Sequence, residues 1–353
     1  MTGSALIPVT VLTGFLGSGK TTVMNHLLRQ PGMDGVVAII NEFGEVGLDH
    51  LLVETSEERF ALLDNGCVCC SVREDLVTLL DELSARKAGR AVPRIRRILI
   101  ETTGLADPVP VLHTLMTAPS VVSRYRIDGV VVTVDAVNAL RSLDNHAEAV
   151  KQIAVADRIL LTKTDLAEAA SVAELERRIG AINPTVSVMR VNHGCVEPGA
   201  VLEAGLFTPD ARSGRVGSWF ATAAAAIAAQ EHASHHQHHH AHGSDVSSFS
   251  LIVNEPIQWA AFSRWLDYVA ALKGDDLLRF KGLINVADRP QGPVVVHAVQ
   301  HVLHPPVTME AWPSDDRSSR LVFIVRDIPA EAIERTLARF GEISRDSIVR
   351  PAA

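Results

Sequence analysis

Short β-branched apolar runs alternate with stretches of helical period over the first two thirds of the chain. The run "IPVTVLTG" (7–14) closes on glycine and predicts a buried strand, "KTTVMNHLLRQ" (20–30) has helical spacing, and "GVVAII" (35–40) and "RFALLDN" (59–65) predict two more strands. An amphipathic helix is expected over 72–87. Further strands are expected at "RIRRILIE" (94–101), "IDGVVVTVDA" (127–136), "DRILLTKTD" (157–165) and "PTVSVMR" (184–190). Strands alternating with helices imply a mainly parallel sheet with both faces covered, an α/β domain over residues 1–210.

The pattern changes after that point. Residues 211–247 read as a linker: "SGRVGS" is loop-like, "WFATAAAAIAAQEHA" (219–233) has weak helical amphipathicity, and "HASHHQHHHAHG" (232–243) is low-complexity. From 248 to 345 a smaller α+β domain is expected. Its strands are "SFSLIVN", "LLRFKGLINV", "PVVVHAVQHVL" and "RLVFIVRDI", mainly antiparallel, with helices over 256–272 and 329–340. No internal repeat is visible.

Composition narrows the function. The chain has 353 residues, 47% of them hydrophobic, and 33 basic against 41 acidic side chains for a net charge of -8. That balance argues against a nucleic-acid or anionic-membrane surface. No apolar run approaches the roughly 20 residues of a bilayer span, and the N-terminus has no basic segment before an apolar one. Four cysteines suggest no disulfide framework. A soluble, cytoplasmic protein is expected.

The stretch "GFLGSGKTT" (14–22), between a predicted strand and a helix, is a P-loop. Gly14, Gly17 and Gly19 let backbone N–H groups turn toward phosphates, with Ser18 and Thr22 in the same cradle, and the helix N-terminus adds partial positive charge. Lys20 is expected on the terminal phosphates and Thr21 on Mg²⁺. "RILIETTGLADP" (97–108) is an apolar strand ending in a carboxylate and then a glycine. Glu101 is a candidate for holding Mg²⁺ through water or for orienting the attacking water, and the Gly104 N–H for contacting the γ-phosphate. In "LLTKTD" (160–165), Asp165 can accept from guanine N1–H and N2–H₂, a donor pair adenine lacks, and the Lys163 stem can lie against the base. Many GTPases have Asn where this chain has Thr162, so one amide contact is expected to be missing. GTP is favoured over ATP. No arginine stands out as a finger for the phosphates, so slow intrinsic turnover, raised by a client, is expected.

Three of the four cysteines fall in "NGCVCCSV" (65–72). Cys69 and Cys70 are adjacent and would pair only with strain, and a Cys67–Cys69 bridge would close too short a loop to restrict the unfolded chain much. A metal site, a redox switch and buried structural thiols remain. Thiolates suit Zn²⁺, Cu(I) or Co²⁺. The tract at 232–242 holds seven of the fifteen histidines, and His235, His236, His238, His239 and His240 read as loose metal capture. His297, His301 and His304 fit packing better than ligation. "RFKG" (279–282) suits either a solvated basic edge or a docking patch. Cys195, alone in "VNHGCVEPG", reads as structural or incidental, in a loop placed to close over the guanine.

Taken with "NEFGEVGLD" (41–49) and "ETTGLADP" (101–108), these motifs closely resemble the CobW-type family of P-loop GTPases, relatives of HypB and UreG. The resemblance covers nearly the whole chain. It implies a P-loop domain followed by a CobW C-terminal domain, a metallochaperone or metal-insertion function, GTP/GDP with Mg²⁺ and Zn²⁺ (Co²⁺ as the alternative), and a metal-requiring client protein. It matches Cys67, Cys69 and Cys70 to a Cys-x-Cys-Cys metal motif and Glu42 and Glu45 to switch carboxylates. Some relatives carry another acidic residue where this chain has Ile40. A cobalt-handling GTPase of cobalamin synthesis and a metal storage or sensing module with structural nucleotide are the rival readings.

Overall fold

The structure is a computed structural model. It describes residues 6–40, the backbone of 60–62, and residues 71–88, 95–202, 204, 246–312 and 314–350. The chain divides into two compact units, Met1–Glu176 with Ser187–Gly205, and Arg177–Val186 with Leu206–Ala353.

The first unit is built on seven parallel strands: β1 (Ile7–Gly14), β2 (Val36–Ile40), β3 (Phe60–Leu62), β4 (Arg97–Glu101), β5 (Tyr125–Asp135), β6 (Arg158–Thr162) and β7 (Ser187–Val191). Their spatial order is β3-β2-β4-β1-β5-β6-β7. Strand β2, the middle of β4 and β6, and Val130–Val134 of β5 are largely apolar runs because helices cover both faces, and an alternating strand would bury polar groups there. Leu12, Met24, Leu27, Leu99, Val131 and Leu160 meet in one core.

The register sets the site. Leu12 and Ile40 both pair with Glu101, Gly14 pairs with Thr133, and Thr162 pairs with Asp135 on one side and Val191 on the other. The strands therefore end along one edge, and β1, feeding the P-loop, lies at the centre, where open α/β sheets bind ligands. Helix α1 (Lys20–Leu28) follows the P-loop, α2 (Ser71–Ala88) precedes β4, α3 (Val109–Thr117) and α4 (Pro119–Val122) precede β5, and α5 (Ala139–Asn145) and α6 (Ala147–Val155) precede β6. Helix α2 is tied to the sheet by the Tyr125 hydroxyl, which donates to Leu80 O at 2.7 Å.

The second unit has an antiparallel sheet. Its strands are β8 (Val246–Val253), β9 (Arg279–Ile284), β10 (Val294–Val299), β11 (Val302–Leu303), β12 (Val307–Thr308), β13 (Ser319–Arg326) and β14 (Ile348–Val349). One face carries Phe249, Phe280 and Phe323 against Trp265. The run 293–303, expected as one strand, is a tight hairpin: Gln300 has φ 52°, and β10 and β11 pair back on themselves through Val299 and Val302. The expectation of a solvated edge at "RFKG" also fails. Strand β9 is central, flanked by β10 and β13, and Arg279 and Lys281 are 4% and 3% exposed. His297 stands opposite Lys281 and stacks on His304 at 4.2 Å. Burial first, then the neighbouring His304, Arg279 and Lys281, push the His297 imidazole well below its usual range, so it stays neutral.

Candidate functional site

The loop between β1 and α1 is shaped by three glycines with positive φ: Gly14 at 144°, Gly17 at 68° and Gly19 at 92°. At Gly14 a side chain is impossible for a second reason, since a Cβ would lie 2.3 Å from Thr133 O and 2.4 Å from its Oγ1. The loop is pinned to β5, where Ser18 Oγ and Thr133 Oγ1 are 2.7 Å apart. Lys20, only 8% exposed, donates from Nζ to Gly14 O at 3.0 Å and to Phe15 O at 3.3 Å. Its ammonium thus lies over the loop whose N–H groups turn inward, next to where phosphate oxygens would sit.

Thr21 Oγ1 donates to Glu101 Oε1 at 2.8 Å. Glu101 is 5% exposed at the end of β4. Of the two roles open to this carboxylate, its contact with Thr21 favours the cation side over the attacking water. The following Thr102 N–H donates to Leu12 O and its hydroxyl to Thr13 Oγ1, which fixes the turn into Gly104. A Cβ on Gly104 would lie 2.7 Å from Leu16 N and 2.8 Å from Leu16 Cα, so the two loops touch backbone to backbone.

The third motif is tied to the first. Thr162, 5% exposed, donates its hydroxyl to Ser18 O at 2.8 Å, so the residue that stands in place of Asn keeps a bond to the P-loop. Lys163 takes a left-handed φ of 57° and its Nζ donates to Gly17 O and to Asp135 Oδ2, both at 2.8 Å. Asp135 also accepts from Asn138 Nδ2 and from the Val137 N–H. Burial would raise its pKa, but the bonds from Lys163, Asn138 and Val137 and the Lys163 charge together hold it below the usual carboxylate value. Asp165 remains partly exposed, with His193 Nε2 4.0 Å away. The loop carrying His193 is held by Thr164 Oγ1 on Asn192 Oδ1 at 3.1 Å and by Gln30 Nε2 on Val196 O at 2.7 Å. Its Gly194 is pressed on Thr22, where a Cβ would meet Thr22 O at 2.9 Å. Cys195 is a free, exposed thiol.

Gly14, Gly17, Ser18, Gly19, Lys20, Thr21, Thr22, Glu101, Gly104, Thr162, Lys163 and Asp165 therefore converge on one edge of the first sheet. Sequence reading missed Asp135, which anchors Lys163; the signal was available, since "VVVTVD" ends an apolar run in a carboxylate just as "RILIE" does. Glu42, Glu45, Cys67, Cys69, Cys70 and the histidines 235, 236 and 238–240 lie outside the described residues, as does the expected helix over 219–233. Among the described residues no three His, Cys, Asp or Glu side chains gather as a metal site, and no helix is long and apolar enough to cross a membrane.

Comparison with known proteins agrees with this geometry. The CobW/HypB/UreG nucleotide-binding domain matches residues 8–190, and the cobalamin synthesis protein cobW C-terminal domain matches residues 246–341. The chain is 33% identical over 333 residues to the zinc chaperone YjiA of Escherichia coli strain K12, spanning 94% of this chain and 98% of that one. It is 32% identical over 195 residues to the zinc-regulated GTPase metalloprotein activator 1 of Schizosaccharomyces pombe, 53% of this chain and 46% of that one. The crystal structure of Zn(II)-bound YjiA GTPase from E. coli superposes with a TM-score of 0.67 at 27% identity, covering 96% of this chain and 99% of that one.

Proposed function

The chain belongs to the CobW/HypB/UreG family, and from that premise we propose that it is a GTP-hydrolysing metallochaperone. It takes up a transition metal, zinc, at Cys67, Cys69 and Cys70, with Glu42 or Glu45 as the added ligand, and passes it to a client protein in the cytoplasm. The domain order in this reading is a GTPase domain over 1–210, a histidine-bearing linker over 211–247 and a C-terminal domain over 248–345. The observation that carries the guanine part is the Lys163 bridge: one ammonium joins Gly17 of the phosphate loop to Asp135, bringing the Thr162–Asp165 turn and the P-loop into one site.

The residues then divide the work. Backbone N–H groups at Gly17 and Gly19 and the Lys20 ammonium hold the β- and γ-phosphates and meet charge that spreads over the γ-phosphoryl oxygens in the transition state. Gly104 N–H meets the γ-phosphate from the other side. Asp165 accepts from N1–H and N2–H₂ of the base. The Thr21 hydroxyl and the buried Glu101 carboxylate form a pair of hard oxygens at 2.8 Å, which suits Mg²⁺. Thr21 and Glu101 would hold that ion, which would supply positive charge against the phosphates.

The zinc part is supported by strand register. Ile40 and Leu62 pair with each other, and Ile40 also pairs with Glu101. The two strands that precede Glu42, Glu45 and the cysteines in sequence thus end at the edge where Glu101 meets Thr21. In GTPases, switch segments are ordered by a γ-phosphate and released on hydrolysis; if Glu42 and Glu45 belong to such a switch, the nucleotide has a means of altering metal affinity. The test of the enzymatic half is turnover of GTP and of ATP by the purified full chain with Mg²⁺. GTP hydrolysis with ATP turnover at least about tenfold lower is expected; equal turnover, or none with GTP, would contradict it.

A further inference from the structure

We propose that Gln152, on α6, is a positioning residue for GTP hydrolysis: it holds the loop after β4 so that the Gly104 N–H faces the γ-phosphate. This rests on the GTPase reading and goes beyond it, since no nucleotide motif includes α6.

Gln152 is 1% exposed and its side-chain amide donates to Gly104 O at 3.3 Å and to Ala106 O at 3.2 Å. A buried amide in a core of apolar residues needs partners, and here both are carbonyls of one loop. The Gly104 and Ala106 carbonyls share their peptide planes with the Leu105 and Asp107 N–H groups, while the Gly104 N–H lies in the plane of the Thr103 carbonyl, which accepts from the Ala106 N–H at 3.1 Å; Gln152 therefore braces the far side of this turn and, through it, the direction of the Gly104 N–H. The neighbouring Lys151 grips the same loop, with Nζ 3.0 Å from Asp107 Oδ2, while Asp107 Oδ1 accepts from the Val109 N–H at the start of α3. On its other side Gly104 touches the backbone of Leu16 in the P-loop. Gly104 is thus held between the phosphate loop and Gln152.

A cavity of about 30 Å³ separates the P-loop residues Phe15 and Leu16 from Leu143, Gln152 and Ile153 of α5 and α6. No residue of the loop lines this cavity; the loop is held by its backbone contact with Leu16 and by the bonds from Gln152 and Lys151. GDP has no γ-phosphate, so an interaction that orients Gly104 N–H toward that group is felt in the GTP state and in the transition state, and hardly in the GDP state. A structural glutamine would affect both nucleotides alike.

The experiment compares wild type with Gln152→Met, which keeps length and loses the donors, and with Gln152→Asn, which keeps the amide and falls short of the two carbonyls. Single-turnover GTP hydrolysis, GTP-analogue affinity and GDP affinity are measured on the full chain with Mg²⁺. Loss of one or two such bonds predicts a rate about tenfold or more lower and weaker analogue binding, with GDP affinity within about twofold. GDP binding also reports folding, and Gln152→Asn, which keeps a polar group for the loop, decides the matter if Gln152→Met does not fold. Equal losses for GDP and analogue, or an unchanged rate in a folded variant, would overturn the proposal. Failure of the wild type to hydrolyse GTP would instead overturn the GTPase reading beneath it.

Discussion

The Lys163 ammonium lies 2.8 Å from the carboxylate of Asp135, two strands joined across the top of the sheet by one ion pair. Asp135 is 7% exposed at its side chain and Lys163 36%, so the pair is sheltered on the acid's side only. Its value is geometric as much as energetic: the same ammonium bonds Gly17 O and sets the spacing between base loop and phosphate loop.

Lys163→Met removes both bonds and leaves Asp135 buried. In the wild type the Asp135 pKa is held below 3.8, so its ionised form adds stability that is full above that value and fades as pH falls through the lower folded value. In the variant, burial is no longer offset by the lysine, the folded pKa rises, and stability should begin to fall at higher pH. Urea unfolding between about pH 3 and 6 reads this, and nucleotide affinity should drop about tenfold or more. Superimposable pH profiles would count against the pair.

Asp165→Asn should weaken GTP by about 10- to 100-fold, since each bond to a charged group contributes about 1.5–3 kcal/mol, and should improve binding of xanthosine nucleotides, whose 2-oxo group can accept from the new amide. Calorimetry with GTP and XTP tests it; unchanged GTP affinity would place the base elsewhere.

Thr162→Val keeps the volume and removes the hydroxyl that reaches Ser18 O. The carbonyl left behind is buried, so a loss of about 1–2 kcal/mol in unfolding free energy is expected, together with weaker GDP binding because the P-loop loses a tether. Urea denaturation without nucleotide separates the two effects.

Gly104→Ala forces a Cβ to within 2.8 Å of the Leu16 backbone. Backbone cannot yield as a side chain tip can, so overpacking of about 1–3 kcal/mol should be felt by the P-loop itself. Affinity for GTP and GDP should fall together, unlike the selective loss expected at Gln152. Unaltered binding of both would show that the loops part easily.

Deleting 232–242 should lower zinc stoichiometry while one tight site and GTP hydrolysis persist, because the tract is separated in sequence from every nucleotide motif. Loss of the tight site on deletion, read by metal analysis after dialysis, would make the histidines primary ligands.

Much of the first sheet was legible because a strand buried on both faces is written as a largely apolar run: "GVVAII" (35–40) is a strand from Val36 to Ile40, while "DRILLTKTD" (157–165) is a strand only over Arg158–Thr162, its last three residues turning into the base loop. The P-loop was legible because its glycines answer a backbone demand at three fixed positions. Other features were not. Periodicity could not divide 293–303, since the turn at Gln300 uses neither Gly nor Pro and interrupts no apolar pattern. The burial of Arg279 and Lys281 depends on strand order, which "RFKG" does not encode. Gln152 lies in a helix selected for packing, and its partners, Gly104 and Ala106, are nearly fifty positions away. Such long-range side-chain bonds leave no local mark in a sequence.

The most direct test of the account is the zinc affinity of the full chain in its GDP state and with a non-hydrolysable GTP analogue, by competition with a chromogenic chelator, for the wild type and Cys69→Ala. Site coupling of the usual size, about 1–3 kcal/mol, predicts at least a fivefold difference between the two states. The tight site should be lost in Cys69→Ala while GDP still binds. Equal zinc affinity in both states would contradict the account, leaving the cysteines a static site beside an unrelated GTPase.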